Sequence, residues 1–238
     1  MVTGASRGLG EAMALALAEA GANIVGVARS ENKELMAKVE SLGRKALWIK
    51  ADLGNREQSR TLIDSAEEEG MLPDILVNNS GIIRRAELPD FSEELWDEVM
   101  EINLSSIFVI SKSFASHRAD KGGRIINTAS MLSFQGGIRV FSYTASKTGV
   151  VGLTRILANE LAPSGITVNA IAPGYMATDN TAPLRQDDKR NAEIMARIPM
   201  GRWGAPDDLS GAVVFLASDA SAYVTGQVLA VDGGWLSR

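Results

Sequence analysis

A doubly wound α/β fold, one domain with a seven-stranded parallel sheet between two layers of helices, is the architecture this sequence predicts. Three observations carry it. Short β-rich runs alternate with longer amphipathic segments from one end to the other. Runs such as Ile75-Leu76-Val77 are apolar throughout, as strands buried on both faces of a parallel sheet must be. No repeat or low-complexity linker interrupts the 238 residues, so one domain is favoured over two. Repeated β–α units then imply right-handed crossovers and three layers.

In chain order, strands are expected at 1–3, 23–28, 46–51, 74–78, 123–128, 167–171 and 227–231. Helices are expected at 9–20, 31–42, 56–69, 92–118, 143–162 and 207–217. The first strand is brief: strands run about five to six residues, yet Gly4 directly follows Met1-Val2-Thr3. The recorded start is therefore expected to lie downstream of the true one. The first helix has its apolar heart at residues 12–18 and stops at Glu19. Asp52, after the third strand, reads as the N-cap of helix 56–69 or as a turn residue. Residues 175–206 break the rhythm, with no strand, three prolines and a charged patch from Arg185 to Arg190. A long insertion after a strand's carboxyl end is where a substrate lid is expected, because ligands bind at that edge. The chain closes on an apolar run, Val228-Leu229-Ala230-Val231, then Trp235-Leu236.

Composition excludes several chemistries. There is no cysteine, so no disulfide, thiolate zinc site or cysteine nucleophile exists. The single histidine, His117, cannot build a multi-histidine metal site, and is read as a surface residue that favours a helix C-terminus when protonated. No metal is expected. With 24 Lys and Arg against 29 Asp and Glu, no basic stripe invites nucleic acid. No apolar stretch approaches the ~18 residues of a membrane span. A soluble, cytoplasmic protein without nucleic-acid or membrane partners is expected. If it is an enzyme, its proton chemistry rests on something other than histidine.

Thr3-Gly4-Ala5-Ser6-Arg7-Gly8-Leu9-Gly10 lies between the first strand and the first helix. Gly4 permits a tight turn, Gly8 lets backbone approach a pyrophosphate, and Gly10 allows close helix–strand packing. The helix N-terminus then offers free N–H groups to the anion. Tyr143 and Lys147, four apart on a helix, project from one face. Alone, that spacing is equally an exposed surface pair. Beside a nicotinamide it becomes useful, because a tyrosine must fall about three pH units, or about 4 kcal/mol, to work near neutrality. One ammonium at ~4 Å in an effective dielectric of ~20 contributes about that much.

Taken together the chain resembles the short-chain dehydrogenase/reductases over nearly its whole length, which implies a Rossmann domain and an NAD(P)-dependent oxidoreductase acting on CH-OH. Gly4-x3-Gly8-x-Gly10 resembles their cofactor loop, and Asn78-Asn79-Ser80-Gly81 resembles the segment after their fourth strand. Asn103, Ser130, Tyr143 and Lys147 fall in the order of their catalytic tetrad. The resemblance implies that Ser130 bonds the substrate oxygen and Tyr143 moves its proton. It implies that Lys147 binds the nicotinamide ribose and lowers the tyrosine, and that Asn103 holds a water leading to Lys147. It also implies cofactor contacts from Gly4, Ser6, Arg7, Gly8, Leu9, Gly10, Asp52, Leu53, Asn79, Ser80 and Gly81. Pro173, Gly174, Met176 and Thr178 would hold the carboxamide end.

Other segments are similar to family members that act on sugar acids, notably 82–85, 129–139, 172–178 and 202–204. Such a substrate needs a cation for its carboxylate and polar groups for its hydroxyls. Arg84, Arg139 and Gln135 are the candidates, beside Ser130 and Tyr143. NADP is favoured over NAD, since Ala28-Arg29 stands where an acid would meet the adenosine 2′-hydroxyl, and Arg7 and Arg29 suit a 2′-phosphate. The resemblance implies a homotetramer. Two other readings stay open: a 3-oxoacyl-thioester reductase, and a nicotinamide-binding regulatory module without turnover.

Overall fold

The computed structural model describes residues 1–238. Seven parallel strands form one sheet: β1 (Val2–Thr3), β2 (Ile24–Ala28), β3 (Ala46–Lys50), β4 (Ile75–Asn78), β5 (Gly123–Thr128), β6 (Ile166–Pro173) and β7 (Val228–Val231). Their spatial order is β3-β2-β1-β4-β5-β6-β7. The order reverses between β1 and β4, which opens a crevice at their carboxyl ends where ligands bind in such sheets. Val2 lies opposite Gly26 on one side and Val77 on the other. Met1 continues the pairing with β4: Val77 N–H donates to its carbonyl and its own nitrogen donates to the carbonyl of Ile75.

Alternation along each strand sends side chains into two cores. Val2, Ile24, Val77, Ile126 and Ile171 pack under α1 (Gly8–Glu19), α2 (Lys33–Ser41) and α9 (Ser210–Ala217). Val25, Leu76, Ile125 and Val168 pack against α3 (Arg56–Glu68), α5 (Ser106–His117) and α6 (Phe141–Leu161). Each fully buried branched side chain contributes roughly 1.5–3 kcal/mol, so both layers are anchored hydrophobically.

The expected elements are present, with three differences. The helix expected at 92–118 is α4 (Glu93–Met100) and α5 joined by a π-helical turn, Glu101–Ser105, with the buried Asn103 at its centre. Such turns insert a residue into the ladder and often sit at functional positions. Residues 175–206 contain α7 (Ala182–Gln186) and α8 (Asp188–Arg197), which the sequence reading left out. Pro183 stands in the first turn of α7, and the Asp187 side chain caps α8, but only Ile194 of the latter is buried, so few apolar positions mark the helix. Finally, α3 is capped by Asn55, whose side chain accepts from the N–H groups of Glu57 and Gln58, and not by Asp52. Asp52 is the turn residue, accepting from Gly54 N–H at 2.9 Å. No helix is long and apolar enough to cross a membrane.

Candidate active site

The glycine loop is tightly built. Gly4 and Gly8 have φ of 68° and 59°, a region that disfavours side chains. A Cβ at Gly10 would overlap the Gly4 carbonyl oxygen, so only glycine lets α1 start this close to β1. Arg7 occupies the N-cap position without a side-chain cap, leaving the first N–H groups of α1 open to an anion. The Ser6 carbonyl accepts from Asn32 Nδ2, while Leu9 packs against the core.

Asn79 and Thr3 fix this loop to β4. Thr3 Oγ1 accepts from the N–H groups of Asn79 and Ser80, and Asn79 Nδ2 donates to the Thr3 carbonyl at 3.0 Å. From the far side, Pro173 ends β6 and Gly174 N–H donates to the Val231 carbonyl. Met176 is buried against Gly204, and the Thr178 methyl lies 3.7 Å from where a Gly8 Cβ would be. The two loops therefore face each other across the crevice. Leu53 is buried in the core, so beside it Asp52 presents the polar group at the sheet's edge.

Ser130, Tyr143 and Lys147 converge beside this cradle, on the loop after β5 and the first turns of α6. Lys147 Nζ lies 5.8 Å from the Tyr143 ring centroid and donates to the Thr128 carbonyl at 2.6 Å. Burial lowers the lysine from 10.5 to about 8. Burial also raises the Tyr143 hydroxyl above its usual range, against the Ser130 hydroxyl bonded to it and the Arg85 guanidinium, which pull the other way. In the chain alone desolvation is thus the largest effect on Tyr143, and one of the three N–H donors of Lys147 is taken by Thr128. Gly81 runs alongside both groups: a Cβ there would lie 3.6 Å from Lys147 Nζ and 3.4 Å from Asn103 Oδ1, ordinary contact distances.

The Asn103 side chain holds the loop after β4. Its Oδ1 accepts from Ile82 N–H at 2.8 Å, and its Nδ2 donates to the Ile82 carbonyl at 2.9 Å and to Ser146 Oγ at 3.3 Å. One amide proton ties the loop after β4 to the π turn and the other ties the turn to α6, leaving one acceptor lone pair for a water.

The three expected substrate contacts are also placed differently. Arg84 forms a two-pronged pair with Glu98, at 2.8 and 2.7 Å, so its charge is already matched. Arg139 is ion-paired with Glu87 and has φ 61°, and its carbonyl accepts from Ala86 N–H. Gln135 Oε1 accepts from Arg197 Nη2 at 3.1 Å. The neighbouring Arg85, which the sequence reading passed over, is in no ion pair and acts on both Tyr143 and Tyr175. Tyr175 is raised by burial, with Arg190, Arg197 and Arg85 opposing. As for His117, it is no free helix end: Nε2 lies 2.9 Å from Asp64, joining α5 to α3.

For the cofactor's adenosine end, Arg29 is exposed just past β2 and has no ion-pair partner, whereas Arg7 reaches Asp179 at 3.3 Å. No group of three or more His, Cys, Asp or Glu is arranged to hold a metal. A groove of about 880 Å³ lies apart from all of this on the outer face of α5 and α6, lined by residues such as Leu104, Phe108 and Leu153.

A glycine cradle at the sheet's switch point, with serine, tyrosine and lysine beside it, defines a dinucleotide-dependent oxidoreductase, and the chain belongs to the short-chain dehydrogenase/reductase family. The family model described as enoyl-(acyl carrier protein) reductase matches residues 4–236. The chain is 56% identical over 240 residues to 2-dehydro-3-deoxy-D-gluconate 5-dehydrogenase of Escherichia coli K12, covering 100% of this chain and 95% of that protein. To the Bacillus subtilis 168 protein of the same name it is 52% identical over 242 residues, covering 100% and 94%. A solved structure described as a candidate 2-deoxy-D-gluconate 3-dehydrogenase from Agrobacterium tumefaciens, with NADP bound, is 50% identical. It superposes with a TM-score of 0.94 over 100% of this chain and 95% of that one.

Proposed function

We propose that the protein is a reversible, NADP-linked dehydrogenase that interconverts a secondary hydroxyl and a ketone on a hexonic deoxysugar acid, the kind of reaction its relatives' names describe. The observation that carries the reading is the junction of Ser130, Tyr143 and Lys147 beside a glycine cradle that no side chain can enter. A bound nicotinamide supplies or accepts the hydride. In reduction, Tyr143 gives its phenolic proton to the carbonyl oxygen while the Ser130 hydroxyl donates to that oxygen as charge develops. In oxidation the same proton returns to Tyr143. Lys147 donates to ribose hydroxyls and supports the tyrosinate, and Asn103 holds Ile82, and so Gly81, in place beside it. Gly4, Ser6, Gly8, Leu9, Gly10 and Asn79 to Gly81 make the pyrophosphate and ribose walls, with Asp52 at the adenine.

The unpartnered Arg29 supports NADP over NAD, because a free guanidinium at the end of β2 suits a 2′-phosphate. Residues 175–206 act as the lid, and the groove across α5 and α6 is where copies pair in a homotetramer. The protein works in the cytoplasm. The test is a panel of sugar acids and 3-oxoacyl thioesters, run with both cofactors and followed at the reduced-nicotinamide absorbance band. Turnover of a hexonic acid with NADP is expected; turnover of thioesters alone would replace this reading with a 3-oxoacyl reductase.

A further inference from the structure

Arg197 is the last residue of α8, on the segment over the site, and it has two contacts and one indirect neighbour. Its guanidinium lies 4.0 Å from the centroid of the Trp235 ring. Its Nη2 donates to Gln135 Oε1, five residues beyond Ser130. Through Trp235, whose ring is 4.8 Å from Tyr175, it belongs to the aromatic cluster that follows β6. No carboxylate lies within ion-pairing distance of it, whereas Arg84, Arg139, Arg190 and Arg202 each have one. A guanidinium held by a neutral amide and a ring face keeps its whole charge and its remaining donors for something else.

We propose that Arg197 of the lid grips the substrate's carboxylate, so that one end of the acid is fixed beside Tyr175 and the other reaches Ser130 and Tyr143. Resting on the sugar-acid reading above, this deepens it by naming the cation that chooses an acid over an uncharged sugar. Arg190, on the same helix, is already matched by Glu193 at 2.7 Å. A carboxylate held by Arg197, on an acid whose other end meets Ser130, would also join lid to body, so binding of the acid and closure of the lid become one event. The bond from Arg197 gives Gln135 a positioning role: it steers Arg197 and does not itself bind a hydroxyl.

The experiment compares D-gluconate or its 2-dehydro-3-deoxy analogue with the corresponding uncharged amide, using wild type, Arg197→Gln, Arg197→Lys and Arg84→Gln. In wild type the acid is expected to be preferred in kcat/KM. Arg197→Gln should lower kcat/KM for the acid by about 30-fold or more, as loss of one partner of a charged hydrogen bond does. Activity on the amide and affinity for NADP should change less than about threefold, since no interaction with an uncharged group is removed. Arg197→Lys should recover part of the preference, and Arg84→Gln should resemble wild type. An acid-to-amide ratio unchanged in Arg197→Gln would overturn the clamp while leaving the dehydrogenase reading intact. If wild type turns over no sugar acid, that reading fails. The clamp is then judged by calorimetry of D-gluconate binding to the protein–NADP complex, where no binding, or equal binding to wild type and Arg197→Gln, rejects it.

Discussion

Lys147 is held by the main chain of Thr128, its Nζ 2.6 Å from that carbonyl oxygen, on a side chain only 3% exposed. A single neutral acceptor does not replace the hydration of an ammonium, which is why its pKa falls to about 8. The sign for stability follows. Between pH 8 and 10.5 the unfolded chain binds the proton that the folded lysine has lost, so stability rises with pH across that window. Below pH 8 the buried charge costs the fold about 3 kcal/mol as an upper figure. Lys147→Met is therefore expected to melt higher than wild type at pH 7 and to show no rise from pH 8 to 10. Thermal melts across that range test it, and a destabilised Lys147→Met would reject the account.

For activity the same group works in the opposite sense. Its ammonium is present below pH about 8 and absent above. In the ketone-reducing direction, which also needs Tyr143 protonated, kcat/KM should fall as pH rises through about 8. In Lys147→Arg, which keeps its charge, that limb should move to higher pH. A limb unmoved in Lys147→Arg would assign it to another group.

Gly10 is constrained more sharply than Gly8, although both belong to one motif. A methyl at Gly10 would strike the Gly4 carbonyl and the Asn79 amide, both main parts of the cradle. At Gly8 the nearest atom is the Thr178 methyl at 3.7 Å, and the cost there comes from φ 59°. Gly10→Ala is expected to lose ~1–3 kcal/mol and most cofactor binding, because backbone must move. Gly8→Ala should lose ~1 kcal/mol, the cost of a side chain in the left-handed region. Thermal melts and NADP titrations of both variants check the order; equal losses would contradict it.

How far the sequence could be read depended on whether the signal was local. The glycine loop and the Tyr143–Lys147 pair were legible because their spacing against strand and helix is itself the geometry. Arg84 and Arg85 were not separable, since they are neighbours in a loop without periodicity. Glu98, on α4, decides which is neutralised. The π turn at Asn103 was invisible for a similar reason: it serves a bond to Ile82, 21 residues away. Burial, the largest effect on Tyr143 in the chain alone, is not carried by the Tyr143–Lys147 spacing. The helices α7 and α8 are faint in sequence because α8 buries one residue, and Arg197 shows no purpose until Trp235, 38 positions on, lies under it.

Arg29 and Arg7 allow the cofactor choice to be tested by subtraction. Arg29 has no partner and Arg7 has Asp179, with both members of that pair about three-quarters exposed. An exposed pair of this kind is worth at most ~1 kcal/mol, so it yields readily to a phosphate. Arg29→Ala is expected to raise Kd for NADP at least tenfold and to change Kd for NAD less than about twofold, since only the 2′-phosphate contact is charged. Asp179→Ala, by freeing Arg7, should leave NADP binding equal or tighter at low salt. Weakened NADP binding in Asp179→Ala would show that the pair orders the lid over the cofactor instead.

Phe108 tests the assembly. It stands in the first turn of α5, half exposed, in a groove shared with Leu104 and Leu153, and nothing lies within 4 Å of a Cβ built at Gly152. A large aromatic on the open face of a helix, beside glycines that let another helix come close, is the pattern of a surface covered by a partner. The groove contains none of the catalytic residues, so its apolar character is not explained by substrate. If it pairs copies, wild type should sediment near 101 kDa, four chains of 25.3 kDa. Phe108→Asp should give a smaller species, because a carboxylate buried there without a partner costs several kcal/mol per interface. Cofactor binding by the dissociated chain should persist, since β1, α1 and the glycine loop lie elsewhere. Sedimentation velocity at several concentrations decides the matter: an unchanged mass in Phe108→Asp would place the contact on another face, with β7 and its exposed Leu229 next to be tested.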